Sequence, residues 1–111
     1  MAEAGVVFLA AFEGEVPVAM GALKRLSGQH GELKSMHVLS ERRGHGLADQ
    51  ILKRLMETAR EMGLSRVSLE TGSQDVFAPA RAFYARHGFE PCAPFEGYEE
   101  DPASVFFTRR I

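Results

Sequence analysis

The sequence predicts an α/β fold in which a mixed antiparallel and parallel central sheet is flanked by helices, with the element order β-β-β-α-β-α-β-β. Two observations carry this prediction. Apolar runs rich in strand formers alternate along the chain with two segments of helical periodicity. Near the centre of the chain a strand, a helix and a strand follow one another with the spacing of a βαβ unit, which places both strands in one sheet.

The first three strands are predicted from apolar runs and the turns between them. Val6–Phe12 and Val16–Leu23 are joined by a short turn containing Gly14, and this pattern predicts a β-hairpin. Glu32–Leu39 is the predicted third strand. Its apolar residues are Leu33, Met36 and Val38, so the alternation is broken by one extra residue after Leu33, which indicates a bulge.

Leu47–Met62 is the clearest helix, because its apolar residues recur at spacings of three and four. Gly63 follows at the position where a helix end favours a left-handed residue. The remaining predicted elements are, in chain order, a strand at Ser65–Thr71, a helix at Ala78–His87, a strand starting at Phe89 and a strand at Ser104–Arg109.

Length and composition describe one ordinary domain over residues 1–111 and exclude several classes of protein. The 13 basic and 15 acidic residues give a net charge of −2, which argues against a nucleic-acid binder. A single cysteine, Cys92, excludes an internal disulfide and fits a reducing cytoplasm. The chain lacks an apolar run of roughly 18 residues, so no membrane partner is expected. The four histidines lack metal-ligand spacing, so no metal is expected either.

The turn before the long helix has the features of an anion site. Gly44 and Gly46 allow close approach to backbone amides, and the helix that follows offers unpaired N–H groups and the positive end of its dipole. Arg42, Arg43 and His45 add positive charge around this turn. Such a site suits a pyrophosphate. A tight turn with a solvated basic rim explains the same residues.

The segment from Arg43 to Ala48, RGHGLA, matches R-x-x-G-x-A, and the chain thereby resembles the GNAT N-acetyltransferase superfamily, in which this pattern is the acetyl-coenzyme-A signature. Met1 lies almost at the hairpin, whereas the family usually begins with a further strand and helices, so the resemblance implies a member shortened at its N-terminus. The other segments that are similar to the family are GELKSMHVLSERRGHGLADQILKRLMETAREMG, SRVSLETG, APARAFYARHGFEPC and the tail PFEGYEEDPASVFFTRR, which resembles a bacterial subgroup of small GNAT proteins.

The resemblance implies acetyl-coenzyme A as co-substrate and assigns residues to its parts. The pantetheine arm is expected along the central strand, beside the bulge. Residues expected to line the pantetheine slot are Met36, His37 and Val38, and those expected to hold the pyrophosphate are Arg43, Gly44, His45, Gly46, Leu47 and Ala48.

Three side chains are candidates for the chemistry of acyl transfer. Tyr84 occupies the family's tyrosine position, and a phenol with a pKa of about 10 can protonate a thiolate whose conjugate pKa is about 8.5; a core aromatic is the alternative. Glu32 is a candidate general base, since burial would raise its pKa toward the working pH; a surface glutamate is equally compatible. Glu70 on the next strand is a rival base or a binding group for a cationic substrate.

The resemblance implies an N-acetyltransferase that passes an acetyl group to an amine of a small molecule or peptide by direct attack on the thioester. Phe95 and Tyr98 are expected to close over the acceptor end of the cleft, or else to anchor a loop by packing. An acyl-coenzyme-A-binding module with weak or absent turnover is the alternative function. A homodimer is expected, because a chain without the family's first helices would expose apolar surface.

Overall fold

The computed structural model describes residues 5–111, and the first four residues, on which the predicted N-terminal shortening depends, lie outside that range. The predicted element order is confirmed, with two short 3-10 helices added to it. The elements are β1 (Val6–Glu13), β2 (Val16–Ser27), β3 (His30–Val38), a 3-10 helix (Ser40–Arg42), α1 (Leu47–Glu61), β4 (Arg66–Gly72), a 3-10 helix (Asp75–Phe77), α2 (Ala78–Arg86), β5 (Glu90–Cys92) and β6 (Ser104–Arg110).

The strands form one mixed sheet in the order β1-β2-β3-β4-β6-β5. The hairpin of β1 and β2 and the pair of β2 and β3 are antiparallel. β3 and β4 are parallel, as the predicted βαβ unit requires, and β6 is antiparallel to both β4 and β5. β3, which precedes α1 in the chain, therefore lies next to β4, which follows α1.

The apolar stripe of α1 covers one face of this sheet. Leu52, Leu55 and Ala59 of the helix are essentially inaccessible to solvent, and they belong to one core cluster with Leu23 and Val67 of the strands. Gly63 ends the helix at a φ of 78°, the left-handed conformation that its position predicted. The helix is thus fixed against β2 and β3, and its first residues are held at one end of the sheet.

Part of the apolar surface of the first hairpin is open to solvent. Phe8 and Phe12 are 61% and 60% exposed, and Met20 of β2 is exposed as well. Leu9 and Ala11 of β1 pack against the core instead. Exposed apolar surface was the basis for expecting a homodimer, and the homodimer itself stays a prediction.

No helix within residues 5–111 combines the length and apolar character needed to cross a membrane.

Candidate active site

The central strand contains the bulge that its broken alternation predicted. Met20 pairs with His37 and Ala22 pairs with Lys34, so two steps along β2 correspond to three steps along β3. Ser35 takes up the extra residue at a φ of 58°, and it is the only non-glycine residue with a positive φ in the part of the chain that the structure describes. The bulge turns the second half of β3 away from its original direction.

β3 and β4 separate beside this bulge. Their pairing covers only three positions and ends where Glu32 lies opposite Ser68. Beyond that point β3 continues to pair with β2, and β4 continues to pair with β6. Leu33–Val38 and Leu69–Gly72 therefore line a gap in the middle of the sheet.

Three adjoining cavities form a groove that leads to this gap. The first, the loop cavity of about 370 Å³, lies at the turn before α1. The second, the middle cavity of about 480 Å³, shares Val38, Arg43, Ala48 and Phe83 with the loop cavity. The third, the gap cavity of about 230 Å³, lies between β3 and β4 and shares Met36, Phe77, Ala80 and Tyr84 with the middle cavity.

Two glycines shape the loop cavity. Gly44 and Gly46 have φ values of 81° and 79°, which other residues adopt at a cost, and a Cβ at either position would project into open space. The first backbone bond of α1 runs from Gln50 N–H to the Gly46 carbonyl. The N–H groups of Leu47, Ala48 and Asp49 therefore have no partner within the helix, and they are available to an anion at its N-terminus.

The positive charges near the loop are not equivalent. Arg42 forms two hydrogen bonds of 2.6 and 2.7 Å with the carboxylate of Glu13, and its guanidinium holds the pKa of that carboxyl below its usual value. The guanidinium of Arg43 donates only to the Val38 carbonyl, at 3.3 Å, and has no ion pair within residues 5–111. His45 is exposed and does not line the cavity. Of the three charges expected from the sequence, Arg43 is the one left uncompensated at the groove.

Arg86 lines the loop cavity from α2, a contribution that the sequence pattern does not predict. It lines that cavity together with Asp49, and its guanidinium lies 3.4 Å from the Asp49 carboxylate. His87 makes a closer contact with the same carboxylate, at 2.6 Å. These contacts connect the end of α2 to the start of α1. The spacing between the two helices gave no signal for them, because they join residues nearly forty positions apart in the chain.

Tyr84 lies at the inner end of the groove. Only 7% of the residue is exposed, and its ring packs edge-on against Phe83 and Phe89. Its hydroxyl has no hydrogen-bond partner within residues 5–111. Because every fully buried side-chain polar atom in that range has a partner, the Tyr84 hydroxyl is not fully buried. Burial raises the pKa of the phenol to about 12. The hydroxyl therefore remains protonated at neutral pH, and Tyr84 lines both the middle and the gap cavity.

The two candidate carboxylates have different surroundings. Glu70 is exposed, lines the gap cavity with Tyr84, and accepts a 2.7 Å hydrogen bond from Ser104. Glu32 is 4% exposed and lines none of the three cavities of the groove. One of its oxygens accepts a 2.5 Å hydrogen bond from Tyr98, and the other lies 3.9 Å from the Lys34 ammonium. Glu70 therefore lines the same cavity as Tyr84, whereas Glu32 is bonded to Tyr98 and lies outside the groove.

Phe95 and Tyr98 pack together on the loop between β5 and β6. Phe95 is buried against His30, Tyr98 and Phe106 in edge-on contacts. Neither aromatic lines the groove cavities. Burial and the bond to Glu32 raise the pKa of the Tyr98 phenol. This geometry fits the packing alternative for Phe95, and it gives Tyr98 a partner that the sequence analysis did not foresee.

Two further features of the groove were not predicted. Phe77 ends the second 3-10 helix and borders both the middle and gap cavities. Its ring packs so closely on Gly72 that a Cβ at that position would clash with it. Lys34 lines the gap cavity from β3.

Among residues 5–111, His, Cys, Asp and Glu side chains form no group of three that could hold a metal ion.

The fold and the groove together are those of an acyltransferase. The acetyltransferase (GNAT) family model matches residues 1–89. The chain is 44% identical over 106 residues to YsnE of Bacillus subtilis, which is named an uncharacterized N-acetyltransferase, and the match covers 96% of this chain and 70% of that protein.

Solved structures agree with this match. A Klebsiella pneumoniae protein described as an acyl-CoA N-acyltransferase aligns with a TM-score of 0.88 and 30% identity, over 96% of this chain and 72% of its own. The PaiA N-acetyltransferase of Thermoplasma acidophilum, crystallised with coenzyme A, has the same fold with a TM-score of 0.81 and 17% identity, over 96% and 62%. This chain belongs to the GNAT family of acetyltransferases.

Proposed function

We propose that this protein transfers the acetyl group of acetyl-coenzyme A to an amine of a small molecule or peptide. The observation that carries the proposal is the continuity of the groove. It begins at free helix amides and an uncompensated arginine, and it ends at a protonated phenol in a gap of the sheet. A long co-substrate with an anionic end and a reactive end fits these two termini.

The loop cavity is the proposed site of the pyrophosphate. The amides at the start of α1 and the guanidinium of Arg43 would hold its oxygens, because charge-assisted hydrogen bonds from guanidinium groups and helix N-termini bind phosphates well. Gly44 and Gly46 leave the necessary space. The backbone of Met36–Val38, which borders the middle cavity, would pair with the pantetheine amides.

The thioester supplies an activated acyl carbon, and the chain supplies groups that move protons around it. Glu70 is the proposed general base, which accepts a proton from the ammonium group of the acceptor so that its nitrogen can form the new C–N bond. Tyr84 is the proposed general acid, which donates its proton to the sulfur as the C–S bond breaks. Glu32 was the first candidate base on sequence grounds, but its enclosure by Tyr98 favours Glu70.

A thiol-release assay tests the proposal. Acetyl-coenzyme A would be incubated with the protein and a panel of primary amines, and free thiol would be measured over time. We expect amine-dependent release that falls by about 100-fold in Tyr84→Phe, the loss typical of a missing acid catalyst. Binding of acetyl-coenzyme A without thiol release for any amine would contradict the enzyme and support the acyl-coenzyme-A-binding module.

A further inference from the structure

We infer that the acceptor is a small amine that carries an anionic group close to its nitrogen, as an α-amino acid does, and that Lys34 binds this anionic group. The inference rests on the proposed function and concerns its acceptor. It is based on the arrangement of charges on the two strands that border the gap.

Lys34 and Glu70 face each other across the gap. The parallel register pairs Glu32 with Ser68, so two residues further along the strands the same register would place Lys34 opposite Glu70. At that point the strands no longer pair, and both residues line the gap cavity. They form no ion pair with each other among the described residues. A positive and a negative group therefore border one cavity with space between them.

This arrangement matches a zwitterion. An acceptor whose ammonium group lies at Glu70 presents a neighbouring carboxylate or phosphate to the opposite strand, where Lys34 is the cation. An ion pair that already joined the two side chains would compete with such a ligand. Within residues 5–111 none is formed. The contacts that are formed, Lys34 with Glu32 at 3.9 Å and Ser104 with Glu70 at 2.7 Å, leave a further donor on Lys34 and a further acceptor on Glu70 for the two parts of the acceptor molecule.

Lys34 is held loosely enough to act in this way. Its side chain is 46% exposed, and its ammonium group lies 3.9 Å from a carboxylate oxygen of Glu32. The other oxygen of Glu32 is already bonded to Tyr98. An ammonium group has three donors, so a ligand oxygen can be added without breaking an existing short contact. Glu32 then acts as a positioning residue for Lys34.

The size of the gap cavity favours a small acceptor. Its volume of about 230 Å³ lies below the range of roughly 300–1,000 Å³ found for sites that take drug-sized ligands. Tyr84, Glu70 and Lys34 all line this one cavity. A compact molecule can therefore contact the acid, the base and the cation at once.

The test compares amino acids with their carboxamides, which keep the amine and the side chain and lose only the negative charge. With saturating acetyl-coenzyme A, thiol release gives kcat/KM for each pair. We expect the wild-type protein to prefer the carboxylate by about 10- to 100-fold, the size of one charge-assisted contact. Lys34→Met should abolish this preference by raising KM for the amino acid, and Lys34→Arg should retain it.

Lys24→Met is the matched control. Lys24 is exposed and lies opposite Glu32 on β2, on the side of β3 away from the gap, so this variant removes the same charge without changing the cavity. It should keep the wild-type preference. Equal kcat/KM for amino acids and carboxamides in the wild type, or an unchanged preference in Lys34→Met, would overturn the inference while leaving the acetyltransferase intact. Absence of thiol release with every amine would overturn the proposed function and this inference with it.

Discussion

The hydroxyl of Tyr98 donates a 2.5 Å hydrogen bond to the buried carboxylate of Glu32, which ties the loop between β5 and β6 to the central strand. The two residues are 66 positions apart in the chain. A buried carboxylate that lacks such a partner is costly. The bond therefore affects both the stability of the loop and the chemical availability of Glu32.

Removing this hydroxyl should destabilise the protein. Tyr98→Phe is expected to lower the free energy of unfolding by about 1–3 kcal/mol, because it leaves a buried acceptor without its donor. Tyr84→Phe is the matched control, since the Tyr84 hydroxyl has no hydrogen-bond partner in the described part of the chain, and it should change stability by less than about 0.5 kcal/mol. Urea unfolding of both variants measures the difference, and equal losses would contradict the role assigned to the Tyr98 bond.

The two carboxylates should differ in their effect on catalysis. Glu70→Gln is expected to lower kcat by about 100-fold, the usual loss of a general base. Glu32→Gln keeps an acceptor oxygen for Tyr98 and should lower kcat by less than about 10-fold. Initial rates of thiol release at saturating substrates provide the comparison. A larger loss in Glu32→Gln would restore Glu32 as the base and remove Glu70 from that role.

Gly46 should be required for the co-substrate as well as for the turn. Gly46→Ala is expected to raise KM for acetyl-coenzyme A by 10-fold or more, an order-of-magnitude expectation for lost backbone contacts to phosphate. Gly63→Ala has nearly the same φ, 78° against 79°, and also places its Cβ in open space. Both variants should lose about 1–2 kcal/mol from the left-handed conformation, but only Gly46→Ala should affect KM. A similar KM in the two variants would show that strain alone is responsible.

The neighbouring arginines should contribute unequally to co-substrate binding. Arg43→Gln is expected to weaken binding of coenzyme A by about 10-fold, since Arg43 has no carboxylate partner within residues 5–111. Arg42→Gln should have a smaller effect, because Glu13 already compensates the charge of Arg42. Isothermal titration at two salt concentrations measures both affinities. Equal losses would mean that the Glu13–Arg42 pair opens when the ligand binds.

The raised pKa of Tyr84 predicts a loss of stability in strong alkali. The phenol has a pKa of about 10 in an unfolded chain, and burial raises it to about 12 in the fold. The stability linked to the neutral phenol is therefore fully present below pH 10 and is lost as the pH rises from 10 toward 12. The difference in unfolding free energy between the wild type and Tyr84→Phe should change only in that window. A difference that is constant with pH would contradict the shift.

Much of the fold follows from local patterns. Three features depend only on neighbouring residues and lie where the sequence predicted them. They are the apolar stripe of α1, the left-handed Gly63 after it and the bulge in β3. The two 3-10 helices were missed, because three residues are too few to show a period. The turn before α1 was predicted for the same local reason, since Gly44 and Gly46 directly precede the helix, and its role as an anion site stays a prediction.

The sequence by itself determined the order of elements, the bulge, the glycine-containing turn before α1 and the presence of a tyrosine on α2. Only the tertiary structure decided which charges and carboxylates reach the groove. Glu13 compensates Arg42, Tyr98 encloses Glu32, and Glu70 lies beside Tyr84. The physical reason is that periodicity and capping act over a few neighbouring residues. Pairing of charges depends instead on how strands distant in the chain are brought together, and a single sequence does not encode those contacts in any local pattern.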